Sequence, residues 1–92
     1  MYRLEVSPAA DRDLEKLKQR IQRYDFERLR AAIRSLANEP RPYGVRKIKG
    51  AERAYRIRAG NYRVGYEIHD KQNLVVILQV ARRTEMTYRS QE

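Results

Sequence analysis

The sequence predicts an α+β fold in which an N-terminal strand and a helical hairpin pack on a small antiparallel sheet of about four strands. Three patterns carry that expectation. Residues 2–6 and 55–68 alternate apolar and polar positions with a period of two, the signature of half-buried strands. Residues 8–37 place apolar side chains at helical spacing, and "LVVILQVA" at 74–81 is apolar on both faces, as an interior strand is.

Taken in order, "MYRLEV" sets Tyr2, Leu4 and Val6 against Arg3 and Glu5 and reads as the first strand. Ser7 is an N-cap, Pro8 suits the first helical position, and Asp11 and Asp13 complement the helix dipole. Ala10, Leu14, Leu17 and Ile21 then form an apolar stripe that should cover a sheet. A second helix over roughly 25–37 puts Phe26, Leu29, Ile33 and Leu36 on one face. "NEPRPYG" ends it, because two prolines and a glycine within seven residues admit neither helix nor central strand. "VRKIKG" alternates weakly, "HDKQN" is a turn, and "RRTEMTYRSQE" is a polar tail.

The stretch "YRIRAGNYRVGYEI" is the most informative. Gly60-Asn61 suits a two-residue type II′ turn with Gly at its first central position. Tyr55, Ile57, Ala59, Tyr62, Val64, Tyr66 and Ile68 then share one face, and Arg56, Arg58 and Arg63 the other. With that turn, Arg58 lies directly opposite Arg63; with the turn at Ala59-Gly60, Arg56 faces Arg63 instead, so either register opposes two arginines. Like charges across a strand pair destabilise it, so a hairpin shaped for stability alone would avoid the arrangement. An anion bound between the two arginines explains it.

Composition narrows the function classes. A chain of 92 residues makes one small domain, 1–92. With no cysteine and one histidine, neither a disulfide framework nor a thiolate or histidine metal site can be built, and no cofactor is expected. No apolar run is long enough for a signal-peptide core or a membrane span, which predicts a cytoplasmic protein with no membrane partner. The 21 Lys and Arg against 12 Asp and Glu give a formal charge of +9, which implies an anionic partner. Residues 43–92 hold 11 basic and 5 acidic side chains against 10 and 7 in residues 1–42, so the anion site is expected in the C-terminal half.

"NEPRPYGVRKIKG", "YRIRAGNYRVGYEI" and the closing "VARRTEMTYR", in that order, resemble the RelE/ParE family of bacterial toxins over nearly the whole chain. The resemblance implies a RelE-like fold, a cognate acidic antitoxin and one of two activities. RelE-like members cut mRNA in the ribosomal A site; ParE-like members poison DNA gyrase and lack the nuclease residues. The RelE-like pattern maps onto Arg56, Arg58, Arg63 and Arg83, with Tyr88 as the C-terminal tyrosine. Two departures stand out: relatives often carry lysines where this chain has Arg56 and Arg58, and the spacing from Arg83 to Tyr88 is about one residue short.

Metal-free RNA cleavage needs a base for the 2′-hydroxyl, donors for the dianionic phosphorane and an acid for the leaving 5′-oxygen. The four arginines suit the second role, since a guanidinium fork matches phosphate oxygens bidentately and does not deprotonate. Proton transfer falls to Tyr88, with Glu85 and Lys49 as runners-up. Lys47, Lys49 and Arg82 are read as extending the basic surface toward RNA. Arg82 leaves the strand opposite to Arg83, where a partner or solvent is the competing contact. Tyr55, Tyr62 and Tyr66 are read as core, and His69 as a turn residue without a catalytic role. Together with these residues, the resemblance implies a toxin that cuts mRNA on the ribosome and reaches operator DNA through its antitoxin. A gyrase poison and an inactive antitoxin-binding module are the alternatives.

Overall fold

The computed structural model describes residues 1–83. Chain order is β1 (Arg3–Val6), α1 (Pro8–Arg20), α2 (Arg23–Ser35), β2 (Arg46–Lys47), β3 (Ala54–Ala59), β4 (Tyr62–His69), a single 3-10 turn (Asp70–Gln72) and β5 (Leu74–Arg82). The sheet has five strands in the order β1-β5-β4-β3-β2, one more than predicted, and it is mixed. β2, β3, β4 and β5 run antiparallel, whereas β1 lies parallel to β5 with Leu4 beside Val75. A parallel neighbour needs a long crossover, and here the helical hairpin and the β2–β4 meander supply it.

Local chemistry sets the elements. Ser7 Oγ accepts from the Ala10 N–H at 3.1 Å and Pro8 occupies the first turn, so α1 begins where the sequence places it. The second helix starts and ends two residues earlier than predicted; Asp25 sits in its first turn and Leu36 closes it, fully buried. Gly60 has φ +63° and Asn61 is not among the positive-φ residues, which is the type II′ turn. In the 3-10 turn that precedes β5, Asn73 takes the left-handed conformation at φ +50°.

The helices cover one sheet face, burying Ala10, Leu29, Ile33 and Leu36 against Ile57, Tyr62, Val64, Tyr66, Ile68, Val75, Ile77 and Val80. β5 is interior, bonded to β1 on one edge and β4 on the other. Its Val75, Ile77 and Val80 are buried, while Leu74, Val76 and Leu78 are only half-buried, so the double coverage expected of this strand is partial. The β4–β5 register shifts at Gly65/Tyr66: Gly65 pairs with Gln79 and Tyr66 with Ile77, leaving Leu78 as the extra residue. Asp13 of α1 accepts the Val80 N–H at 2.9 Å and Ser7 Oγ donates to the Leu78 carbonyl at 3.2 Å, which pins α1 to the bulge.

Two contacts fasten the loop between α2 and β2. Tyr66, fully buried, donates its hydroxyl to the Pro40 carbonyl at 2.6 Å, and burial raises its pKa. Arg41 stands over the Tyr55 ring at 5.3 Å and pairs with Asp70 at 2.9 Å, while the Tyr2 hydroxyl donates to Asp70 at 2.6 Å. The Arg41 guanidinium, then the Tyr2 hydroxyl, hold the Asp70 carboxyl below its ordinary value.

Two outcomes follow from these fastenings. Tyr66→Phe strands the buried Pro40 carbonyl and should lower stability in urea by roughly 1–3 kcal/mol, the cost of an unsatisfied buried polar group; an unchanged midpoint would show the anchor to be dispensable. Because Asp70 ionises more readily folded than unfolded, its contribution is present above the unfolded carboxylate pKa and is lost as pH falls through the folded one. Asp70→Asn should therefore flatten the acid limb of a stability–pH curve below pH ~4, and leave the shape of the neutral region alone.

Candidate functional site

The hairpin register brings the arginines together. Ala59 pairs with Tyr62, Arg58 with Arg63 and Ile57 with Val64, the pairing that the turn predicts. One strand further out, Arg46 lies directly opposite Arg56. Residues opposite each other across a ladder, and residues two apart along a strand, share a face. Four guanidinium stems therefore rise from one face of β2, β3 and β4. With neighbouring strands about 4.8 Å apart, they span roughly 10 Å across the sheet.

Arg46, Arg56, Arg58 and Arg63 line a single cleft of about 540 Å³, together with Ala32 and Ser35 of α2, Pro42, Tyr43 and Gly44 of the preceding loop, and Ile57. Arg46 and Arg58 are exposed, Arg56 and Arg63 half-buried. Among the described residues no carboxylate pairs with Arg46, Arg58 or Arg63, whereas Arg3, Arg30, Arg41 and Arg53 each have one within 4 Å. Arg46, Arg58 and Arg63 thus bring charge without a described carboxylate partner to the cleft. Such an array can grip anionic oxygens through bidentate forks and can stabilise charge that develops on a phosphorus centre; it cannot take up a proton.

Not every residue picked from the sequence joins this cleft. Arg83 donates its backbone N–H to the Asn61 carbonyl at 2.9 Å, beside the hairpin turn. With Arg82, Asn61 and Tyr62 it lines a neighbouring depression. Arg82 pairs with Tyr62 and so leaves β5 on the helix-covered side. Lys47 pairs with Tyr55, whose ring stacks on Tyr66 at 6.1 Å, so Lys47 points away from the arginine face. Lys49 is exposed beyond the end of β2. Tyr88 and Glu85 lie outside the described residues. Tyr62 and Tyr66 are buried and Tyr55 half-buried, as core residues should be. His69 ends β4 rather than sitting in the turn, with Nε2 at 2.9 Å from Glu67, and does not line the cleft.

Arg46 and Tyr43 are the cleft residues that sequence reading missed. In "VRKIKG" the apolar Val45 and Ile48 are three apart, so alternation gives no phase that would tell Arg46 from Lys47. Only pairing with β3 decides which of the two shares a face with Arg56.

Comparison with known proteins agrees with this architecture. A family model described as the ParE toxin of type II toxin–antitoxin systems, parDE, matches residues 4–87. No curated protein sequence matches significantly. The fold superposes on a chain of the archaeal RelE–RelB complex from Pyrococcus horikoshii OT3 with a TM-score of 0.74 at 26% identity, covering 92% of this chain and 98% of that one. For the toxin–antitoxin complex RelBE2 from Mycobacterium tuberculosis the TM-score is 0.73 at 26% identity, with 89% and 98% covered. The intact E. coli RelBE toxin–antitoxin complex, at 21% identity and a TM-score of 0.70 over 89% and 96%, shares the fold. With a family model matched over most of its length and the same five-stranded sheet and helical hairpin, the chain belongs to the RelE/ParE family of toxins of type II toxin–antitoxin systems.

Proposed function

We propose that the chain is a metal-independent endoribonuclease that cuts mRNA on the ribosome and so inhibits translation. The observation that carries this reading is the opposed Arg58–Arg63 pair, uncompensated by any described carboxylate and open to one cleft with Arg46 and Arg56. Two arginines held face to face cost stability in the free protein and gain it back when an anionic phosphodiester, and then the dianionic phosphorane formed from it, sits between them. In the reaction the 2′-oxygen forms a bond to phosphorus as the bond to the 5′-oxygen breaks. A base takes the 2′-proton and an acid delivers one to the departing oxygen. Arg56, Arg58 and Arg63 hold the phosphorane oxygens, and Arg83, at the turn end of the sheet, reaches the same strand of RNA. Tyr88 is the proton-transfer group. With no strong base among the cleft residues the catalyst is weak alone, which fits a toxin whose substrate the ribosome holds in line.

A cognate acidic antitoxin completes the reading, supported by the RelE–RelB and RelBE complexes among the structural neighbours and by the +9 charge. Operator DNA is reached through that antitoxin. A second reading, a protein that binds and poisons DNA gyrase, is favoured by the ParE description of the matching family model.

Purified protein should cleave mRNA on programmed ribosomes and leave naked RNA intact. Arg63→Ala should abolish cleavage while the thermal midpoint stays within about 3 °C of wild type or rises, because like-charge repulsion is relieved. A midpoint that drops in step with activity would make Arg63 a structural residue. Tyr88→Phe should bind ribosomes as wild type does and cut roughly 100- to 10,000-fold more slowly, the usual contribution of a positioned acid or base. Inhibited gyrase supercoiling with intact ribosome-bound mRNA would replace the nuclease reading with the gyrase one.

A further inference from the structure

Tyr43 is the one tyrosine among the described residues that the fold does not use. Tyr55, Tyr62 and Tyr66 pack in or against the core, Tyr2 bonds Asp70, and Tyr24 carries the Arg28 guanidinium at 5.8 Å. Tyr43 is as exposed as a tyrosine can be, at 106%. No hydrogen bond or ring contact holds it among the described residues. Its position is nonetheless defined: Val45 N–H donates to the Pro42 carbonyl at 3.0 Å and Gly44 adopts φ +88°, a turn that presents residue 43 at the cleft wall. Behind it, Tyr66 and Arg41 fasten the same loop to the body of the protein. An exposed ring on an anchored loop, bordering four arginines, combines a π-face with an array of phosphate forks. Those are the two components with which proteins hold single-stranded nucleic acid.

We infer that the cleft binds single-stranded RNA over more than the cut phosphate, with Tyr43 as a stacking platform for the base of an adjoining nucleotide and Arg46 as the clamp on that nucleotide's phosphate. The inference rests on the nuclease reading for the choice of RNA as ligand. Geometry supports the division of labour. The arginine stems span roughly 10 Å across three strands, wider than one phosphate group. Arg63 on β4, with Arg58 opposite it, grips one side of that span, while Arg46, on the outermost strand and three residues along the chain from Tyr43, commands the other. A cavity of about 540 Å³ holds a nucleotide with its flanking phosphates. An acidic protein segment would pair with the arginines as well, yet would leave the flat face of Tyr43 without a use.

Binding can be separated from cutting with a fluorescent single-stranded 2′-deoxy oligonucleotide, which lacks the attacking hydroxyl, titrated against folded protein at several salt concentrations. Tyr43→Ala should weaken binding about 5- to 150-fold, the range for losing one base stack, while Tyr43→Phe stays within about twofold. Arg46→Ala should weaken binding and reduce the slope of log K against log salt by about 0.7, the value for one phosphate contact on a single strand. Lys16→Ala, which removes the same charge from the exposed face of α1, should do neither. Circular dichroism confirms that each variant is folded. Three outcomes overturn the inference: Tyr43→Ala binding as wild type, Lys16→Ala as damaging as Arg46→Ala, or no oligonucleotide binding by wild type where an acidic peptide binds. Ribosomal cleavage run in parallel keeps the two readings apart. Binding through Tyr43 and Arg46 without any cutting preserves the cleft and removes the nuclease; cutting that both substitutions leave untouched preserves the nuclease and removes this cleft assignment.

Discussion

Seven apolar side chains between Tyr55 and Ile68 must share one face of the β3–β4 hairpin, and the rest of the molecule is arranged around that requirement. A one-residue slip would turn Tyr66, Val64 and Ile68, now almost fully buried, out to solvent. Each such side chain loses roughly 1.5–3 kcal/mol when exposed, far more than the tenths to one kcal/mol that opposing arginines cost. Burial wins, and the register that satisfies it leaves Arg58 facing Arg63. The arginine face of the hairpin is thus the reverse side of its apolar face.

The same hierarchy explains how the rim of the cleft is held. Two residues past the β4–β5 bulge Asp13 accepts the Val80 N–H, so α1 docks at one place along β5. Once the helices are seated, Tyr66 reaches through to Pro40, and Asp70 gathers Arg41 and Tyr2 at the surface. The loop that would otherwise swing freely between α2 and β2 is tied at two successive residues. Tyr43, Gly44 and Arg46 follow immediately and inherit that position. A stretch with two prolines and a glycine thereby becomes one wall of a site.

The cleft arginines differ from the ion-paired ones in how they are grouped. Arg30, Arg41 and Arg53 sit beside carboxylates and are exposed, so each pair adds little stability. Arg46, Arg58 and Arg63 are given no such partner among the described residues and are concentrated on three adjacent strands. Repulsion within that array disfavours the free protein and favours whatever anion relieves it. Association with polyanions should consequently be fast, and sensitive to salt.

Much of this was legible from residue order. Ser7 and Pro8 start a helix by chemistry that operates within three residues, and Gly60-Asn61 sets a II′ turn because only glycine takes that first φ cheaply. Two-residue alternation then determines which residues share a face, and the turn selects the register that sets Arg58 opposite Arg63. What the sequence left open are the features that depend on distant chain. The parallel contact of β1 with β5 arises where segments some seventy residues apart meet, and the bulge at Leu78 sits where α1 docks on β5. Arg46 and Tyr43 belong to the same class: Val45 and Ile48 give β2 no phase of its own, so its pairing with β3 decides that Arg46 and not Lys47 faces the cleft, and the Tyr66–Pro40 bond brings Tyr43 to its edge. Local propensity and periodicity are properties of short stretches, whereas the membership of a cleft is settled only by which strands become neighbours.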